Sequence, residues 1–307
     1  MNKITKKIAI TALCAGLLLS GCDKSNTPDE IVVSGITNPQ NGFPASSCGV
    51  SLQKSVEKAV SLSPALTEII CELGFKNRLV GVSDYCDFPT DISCDKIGSS
   101  ENPDLEAILK LAPDAVFTLS ALSERDIYRL NQAGIAVLAP RVPQNMEDYS
   151  TLYTEISSAF YGSELTESQL GIRKSAQIGK DSRLTLENSA KSIQLESFLY
   201  ITGKHTIAGA ETFEGAVLSL CGDNLCAQSG YISVADYDGE PPKFLIADSS
   251  LTLDIIENSE ELSALVGEST EIRFVDSARL ERPTARTAEV FTQIKNNTLA
   301  ESEPTSE

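Results

Sequence analysis

The sequence predicts an α/β protein built as lobe, long helical connector, lobe, and three stretches predict it. In residues 58–117 an apolar strand (59–62) passes through Ser63-Pro64 into an amphipathic helix (65–73) that Gly74 stops, and a strand follows at Leu79–Val82. Asn102-Pro103-Asp104 then starts a helix over Leu105–Leu111, and Pro113-Asp114 leads into a third strand (115–119). Strand–helix–strand alternation of this kind is the signature of a parallel sheet. A second such set begins near residue 197. Between the two sets, residues 165–188 are polar, Pro-free and spaced for a long helix.

Each further element follows in order. A short helix at 125–132 ends at Gly134, and a strand at 135–139 closes on Pro140. Residues 145–160 are helical, with Asn145 as cap and Gly162 as stop. The connector contains Gly171 and Gly179, each costing about 1 kcal/mol against Ala in a helix interior. The second set reads as a strand at 197–202, a helix at 214–220, a strand at 244–247, and helices at 253–258 and 261–266. A strand at Glu271–Val275 and a last helix at 285–296 complete it.

Length and charge bound the functions. The 307 residues suffice for two lobes with real cores. The formal net charge is −18, and the first 21 residues contribute only Lys3, Lys6 and Lys7, so the body is more acidic still. Such a surface repels nucleic acid and anionic lipid heads. There is no Trp, so a Trp-lined site is excluded.

Residues 1–21 read as an export signal: a basic start, then an apolar run (8–19) too short to span a bilayer. Leu19-Ser20-Gly21-Cys22 resembles the lipobox of bacterial lipoproteins, which implies that Cys22 becomes an acylated N-terminus on the outer face of the cell membrane. Residues 22–50 read as a lipidated tether and 298–307 as a disordered acidic tail.

Cysteine usage fits export. Apart from Cys14 and Cys22, six remain, and an even count argues for disulfides. Cys86 with Cys94 and Cys221 with Cys226 are locally favoured, which leaves Cys48 with Cys71. A zinc site lacks ligands, since no C-x-x-C occurs and His205 is the only His, so no metal or cofactor of the protein's own is expected.

The residues also match a family. Val60-Ser61-Leu62-Ser63-Pro64, Thr67-Glu68, Leu73-Gly74, Leu79-Val80-Gly81-Val82, Asp84-Tyr85, Pro89, Gly98, Leu105-Glu106-Ala107-Ile108 and Leu111-x-Pro113-Asp114 resemble the cobalamin and iron-siderophore binding proteins of ABC importers. The run 82–89 looks most like the cobalamin-binding members. The resemblance implies two Rossmann-like lobes with parallel sheets (51–144 and 191–297), connecting helices (145–190) with one long helix between the lobes, and a ligand cleft where strand ends face one another.

From the resemblance, ligand contacts are expected at Ser63 and Pro64, at Tyr85, at Tyr200, His205 and Tyr231 in the second lobe, and at Arg282 and Arg286 in the closing run. Arg suits carboxylate, phosphate and amide acceptors. Glu106 is expected to dock on Arg residues of a permease dimer, and Asp236 stands where the second lobe's docking Glu is expected. The expected function is a monomeric lipoprotein that captures a cobalamin-like corrinoid or another metal chelate and delivers it to an ABC importer. The alternative is a surface lipoprotein of the same fold that binds ferric siderophore or haem, or serves as an interaction module, without transport coupling. No enzyme is expected: G-x-S-x-G, P-loop and H-E-x-x-H motifs are all missing from the sequence.

Overall fold

The structure, a computed structural model, describes residues 42–162 and 168–297. The expected signal sequence, Cys22, most of the expected tether and the expected tail lie outside the described residues. No helix among the described residues is long and apolar enough to cross a membrane.

The fold opens on an antiparallel hairpin, β1 (Ala45–Ser47) and β2 (Val50–Leu52). This corrects the expectation of a tether running to residue 50. Phe43, Ala45 and Leu52 are core residues, and Ser47 Oγ donates to Glu155 O at 2.9 Å.

The first lobe follows as β3 (Ala59–Ser61), α1 (Pro64–Glu72), β4 (Leu79–Val82), β5 (Asp95–Lys96), α2 (Leu105–Leu111), β6 (Ala115–Phe117), α3 (Glu124–Gln132) and β7 (Ala136–Leu138). Its sheet has the order β5-β4-β3-β6-β7 with every pair parallel. The central strands β3 and β6 are buried throughout, as strands covered on both faces must be. The chain lays β4 and β5 to one side of β3 and then returns to lay β6 on the other. That reversal leaves a crevice beyond the strand ends of β3 and β6, the usual ligand position in open α/β sheets. Helix α1 starts from it, with Pro64 at its first turn, where a missing N–H costs nothing.

Two helices link the lobes, α4 (Met146–Tyr161) and α5 (Ser168–Ala190). Asn145 Oδ1 caps α4, accepting from the N–H groups of Glu147 and Asp148 at 2.9 Å each. Helix α5 is the long helix expected between the lobes, and it packs along α4. Helix α4 itself reaches both lobes. Phe160 stacks on Phe75 and Phe117 of the first, with ring centroids 4.2 and 5.6 Å apart, and Tyr149 stacks on Phe213 of the second at 5.8 Å.

The second lobe contains β8 (Glu196–Ile201), β9 (Thr206–Ala208), α6 (Phe213–Leu218), β10 (Gly222–Asn224), β11 (Tyr231–Ser233), β12 (Phe244–Asp248), α7 (Leu253–Asn258), α8 (Glu260–Ser263), β13 (Glu271–Val275), α9 (Ser277–Leu280) and α10 (Glu289–Asn296). The sheet runs β11-β9-β8-β12-β13, with β10 also on β8. Strands β8, β10, β12 and β13 are parallel, whereas β9 runs against the rest and pairs antiparallel with both β8 and β11. The second sheet is therefore mixed rather than purely parallel.

The expected disulfides are absent: Cys48, Cys71, Cys86, Cys94, Cys221 and Cys226 are free thiols. Cys221 packs with Phe198 and Tyr200, while Cys226 packs with Leu199 and Ile201, so the two face opposite sides of the second sheet. The Cys86 thiol instead meets Thr67 Oγ1 at 3.1 Å and Ser83 Oγ at 3.4 Å. Cys48 lies in the β1–β2 turn beside Glu155, and Cys71 lies on α1 near Lys76 and Asp91. Burial pushes the Cys48 thiol up to about 11 and the Cys71 and Cys221 thiols up to about 12, so all three are protonated and unreactive at neutral pH.

The connector glycines have a packing role. A Cβ at Gly179 would lie 2.8 Å from Ser150 O and 3.1 Å from Tyr153 Cβ, so the missing side chain lets α5 lie close against α4. Helix propensity alone predicts that Gly179→Ala stabilises the protein. The contact predicts the reverse, a loss of about 1–3 kcal/mol in urea unfolding, because backbone must move.

Candidate functional site

The two lobes meet across a buried carboxylate. Glu68 lies on α1 and is 1% exposed. Its Oε1 accepts from Arg282 at 3.1 Å and Arg286 at 3.4 Å, and its Oε2 accepts from Thr284 Oγ1 at 3.1 Å. Arg282 also pairs with Asp87 at 2.5 Å, and Arg286 lies 3.9 Å above the Phe88 ring. Glu72, one turn along α1, accepts from the Ala285 N–H at 3.4 Å and from Tyr153 OH at 2.7 Å. Burial pushes the carboxyl of Glu68 upward while the Arg282 hydrogen bond and charge pull it down.

Arg282 and Arg286, expected from the resemblance as ligand contacts, are placed in this network. Their guanidinium groups are committed to Glu68, Asp87 and the Phe88 face, which hold the closing run 282–286 of the second lobe to the first. Sequence reasoning quoted Glu68 only as part of a motif. Its signal was an acidic residue inside the apolar run Ala65-Leu66-Thr67-Glu68-Ile69-Ile70, every residue of which is buried.

Beside this contact lies a cavity of about 610 Å³ at the C-terminal ends of β8, β12 and β13. Its wall includes Thr202, Lys204, Tyr231, Asp248, Ser277 and Glu281. Tyr231 OH donates to Glu214 Oε2 and Tyr200 OH donates to Glu281 Oε1, both at 2.9 Å. Asp248 Oδ1 accepts from the Ser250 N–H at 2.8 Å and from the Ser250 hydroxyl. Glu281 opens to solvent at the mouth, but protein packed about its carboxyl, with Glu214 and Asp248 nearby, pushes it up to about 7 against the pull of Tyr200 and Lys204. Burial likewise raises Glu214, opposed by its own backbone N–H and by the Tyr231 and Thr212 hydroxyls.

The other expected residues fall as follows. Ser63 is buried at the N-cap of α1 without a side-chain cap bond, and Pro64 is half-buried beside it. Tyr85 is exposed in the loop after β4. Tyr200 is fully buried in the second core, so it bears on the cavity only through Glu281. His205 is exposed in the β8–β9 turn at φ 57° and is not among the wall residues. Glu106 is exposed in the first turn of α2, where it pairs with Arg129 at 2.5 Å, and Asp236 is exposed after β11. Asp248 and Glu281 went unremarked in the sequence. Asp248 ends the apolar run Phe244–Ala247, the place where α/β strands offer functional groups. Among the described residues, no cluster of His, Cys, Asp and Glu has the arrangement of a metal site.

Comparison with known proteins agrees with this architecture. Residues 60–160 match the family described as periplasmic binding protein. An uncharacterized ABC transporter substrate-binding lipoprotein of Bacillus subtilis, YvrC, is 27% identical over 238 residues, covering 73% of this chain and 74% of that protein. The vitamin B12-binding protein of Vibrio cholerae is 31% identical over 83 residues, 26% of this chain and 30% of that protein. Among solved structures, the periplasmic vitamin B12 binding protein BtuF of Vibrio cholerae superposes with a TM-score of 0.59 at 21% identity, covering 79% of this chain and 96% of that one. A periplasmic haem-binding protein of Pseudomonas aeruginosa gives 0.60 at 21% identity, covering 82% and 95%. At these identities the structural likeness is one of fold.

Two predictions follow from the geometry. Glu68→Gln leaves Arg282 and Arg286 without a buried countercharge and should cost about 3 kcal/mol in chemical denaturation. The second concerns Glu281. Its folded pKa, about 7, lies above the ordinary 4.5, so the folded state holds its proton more tightly. The stability it contributes is full below about 4.5 and is lost as pH rises through about 7. The unfolding temperature should fall across that window, and Glu281→Gln should flatten the fall.

Proposed function

We propose that this chain, whose residues 60–160 match the family described as periplasmic binding protein, is the substrate-binding component of an ABC importer, and that it carries a cobalamin-like corrinoid between its lobes. The observation that carries this reading is the cavity at the strand ends of the second sheet, set directly against the Glu68–Arg282 contact between the lobes. Relatives described as vitamin B12-binding support the corrinoid class. So does the exposed Tyr85 ring at the first-lobe rim, which offers a flat apolar face to a macrocycle.

Affinity in this reading comes from apolar contact with the macrocycle plus a few polar anchors on the cavity wall. The lobes are joined by α4 and α5 and pinned by Glu68, so closure on ligand is small. Glu106 stands free of the cleft at the head of α2. Its ion pair with Arg129 is solvent-exposed and worth at most about 1 kcal/mol, so a permease Arg exchanges for it readily. Asp236 offers a second, shorter carboxylate, and Cys22 carries the lipid that keeps the complex at the membrane.

Titration with cyanocobalamin, cobinamide and haem, followed by calorimetry, tests the ligand class. Saturable one-to-one binding of a corrinoid is expected, and binding of none of the three would end the reading. Glu106→Ala should leave that binding unchanged and lower uptake in cells by ten-fold or more. Unchanged uptake would remove Glu106 from docking.

A further inference from the structure

Tyr85 stands 61% exposed at the rim of the first lobe, and the backbone beneath it is held on every side. The chain turns as soon as it leaves β4. The Cys86 N–H donates to Ser83 O at 3.1 Å, which closes a four-residue turn with Asp84 and Tyr85 at its corners. The Cys86 side chain is buried against α1, with its thiol 3.1 Å from Thr67 Oγ1. The Asp84 N–H donates to Gly98 O at 2.9 Å.

The carbonyls of this turn converge on one ammonium group. Lys96, on the edge strand β5, lies beside Val82 of β4. Its Nζ donates to Cys86 O at 2.6 Å and to Ser83 O at 3.2 Å, and Asp84 O lies 3.5 Å away. Three acceptors match the three protons of an ammonium. The charge of Lys96 is thus turned on backbone oxygen, although Asp95 is its neighbour in the chain and Asp84 and Asp87 stand in and beside the turn.

The consequence falls on Tyr85. A peptide unit is planar, so the direction of a side chain is set once the planes on either side of it are fixed. The plane before Tyr85 carries the Asp84 carbonyl, which faces the ammonium, and the plane after it carries the Cys86 N–H, which closes the turn. Ser83 O and Cys86 O, both on Lys96, pin the planes beyond. The exit from the turn is gripped by the other lobe, through Arg282 on Asp87 and Arg286 over the Phe88 ring. Those arginines also hold Glu68, so changing them would loosen the lobes. The hydrogen bonds of Lys96 go to the turn.

We infer that Lys96 is a positioning residue for cargo binding: its ammonium fixes the turn that aims the Tyr85 ring, so the ring meets a flat ligand without first having to be ordered. The inference rests on the importer reading above, with Tyr85 as the first-lobe contact, and adds to it a residue that touches no ligand itself. A contact ordered before binding spares the complex the entropy of ordering it.

Lys96→Met keeps an apolar stem and removes the ammonium. Cyanocobalamin is titrated into the wild-type chain, Lys96→Met, Tyr85→Ala and the double variant. Each single change should weaken binding about ten-fold, and the double variant should bind no more weakly than Tyr85→Ala, since without the ring there is nothing to aim. Because the chain has no Trp, Tyr85→Trp introduces a single emission reporter. Adding Lys96→Met to it should lower the emission anisotropy and increase quenching by acrylamide, with no ligand present. Lys96→Gln, which keeps an amide donor, takes the place of Lys96→Met if that variant does not fold, with smaller changes in the same directions.

A Lys96→Met loss that is the same with and without Tyr85 overturns the inference and leaves the importer reading standing. Unchanged binding in either single variant does the same. An unchanged reporter overturns the inference whatever the titrations give. A wild-type chain that does not bind cyanocobalamin, together with a reporter loosened by Lys96→Met, ends the corrinoid reading and supports Lys96 as the residue that holds the rim.

Discussion

The arrangement of this molecule depends on one ionised group taken out of water. Glu68 is embedded in α1 with almost no exposure, and a lone buried carboxylate is far too costly to persist. Its salt-bridge partners come from the closing run of the other lobe. Arg282, Thr284 and Arg286 converge on it, and Ala285 joins through its N–H to Glu72 one turn away. The first lobe therefore needs the second in order to neutralise its own helix. Lobe juxtaposition is an electrostatic requirement of α1, reinforced by the aromatic packing of α4 against both lobes.

That requirement divides the charged residues between two tasks. The arginines near the cleft hold the lobes together, and the second lobe's carboxylates are left facing the cavity. The division gives the two arginines, expected from the resemblance as ligand contacts, a structural task in the lobe contact. It also explains why the cavity has an acceptor-rich wall in spite of two neighbouring guanidinium groups. The tyrosines follow the same pattern, since Tyr200 and Tyr231 spend their protons on Glu281 and Glu214.

Much of this fold was legible where its causes are local. The strands Leu79–Val82 and Glu271–Val275 and the helix Leu253–Asn258 follow directly from runs of apolar residues and their stops. Asn145 and Asp104 announced helix starts that the structure caps as expected. Strands β5, β9, β10 and β11 were not legible, being two or three residues long and formed only by pairing with a neighbour. The cysteines misled because spacing says nothing about sheet faces: Cys221 and Cys226 are close in the chain and on opposite sides of it. At the site, Arg282 was singled out but its ion pair with Glu68 was not legible, since the two lie 214 positions apart. Asp248 and Glu281 were missed although each ends or follows an element at the strand-end edge, the region most worth searching in an α/β lobe.

One feature of the chain ties the cavity to the lobe contact more tightly than packing does. Glu281 lines the cavity, and Arg282, the next residue, grips Glu68. Consecutive Cα atoms sit about 3.8 Å apart across a rigid peptide plane. A group that draws on Glu281 therefore acts on the same short lever whose other arm is anchored in α1. Cavity wall and lobe seating share a fulcrum, so a shift in one is passed to the other without a hinge.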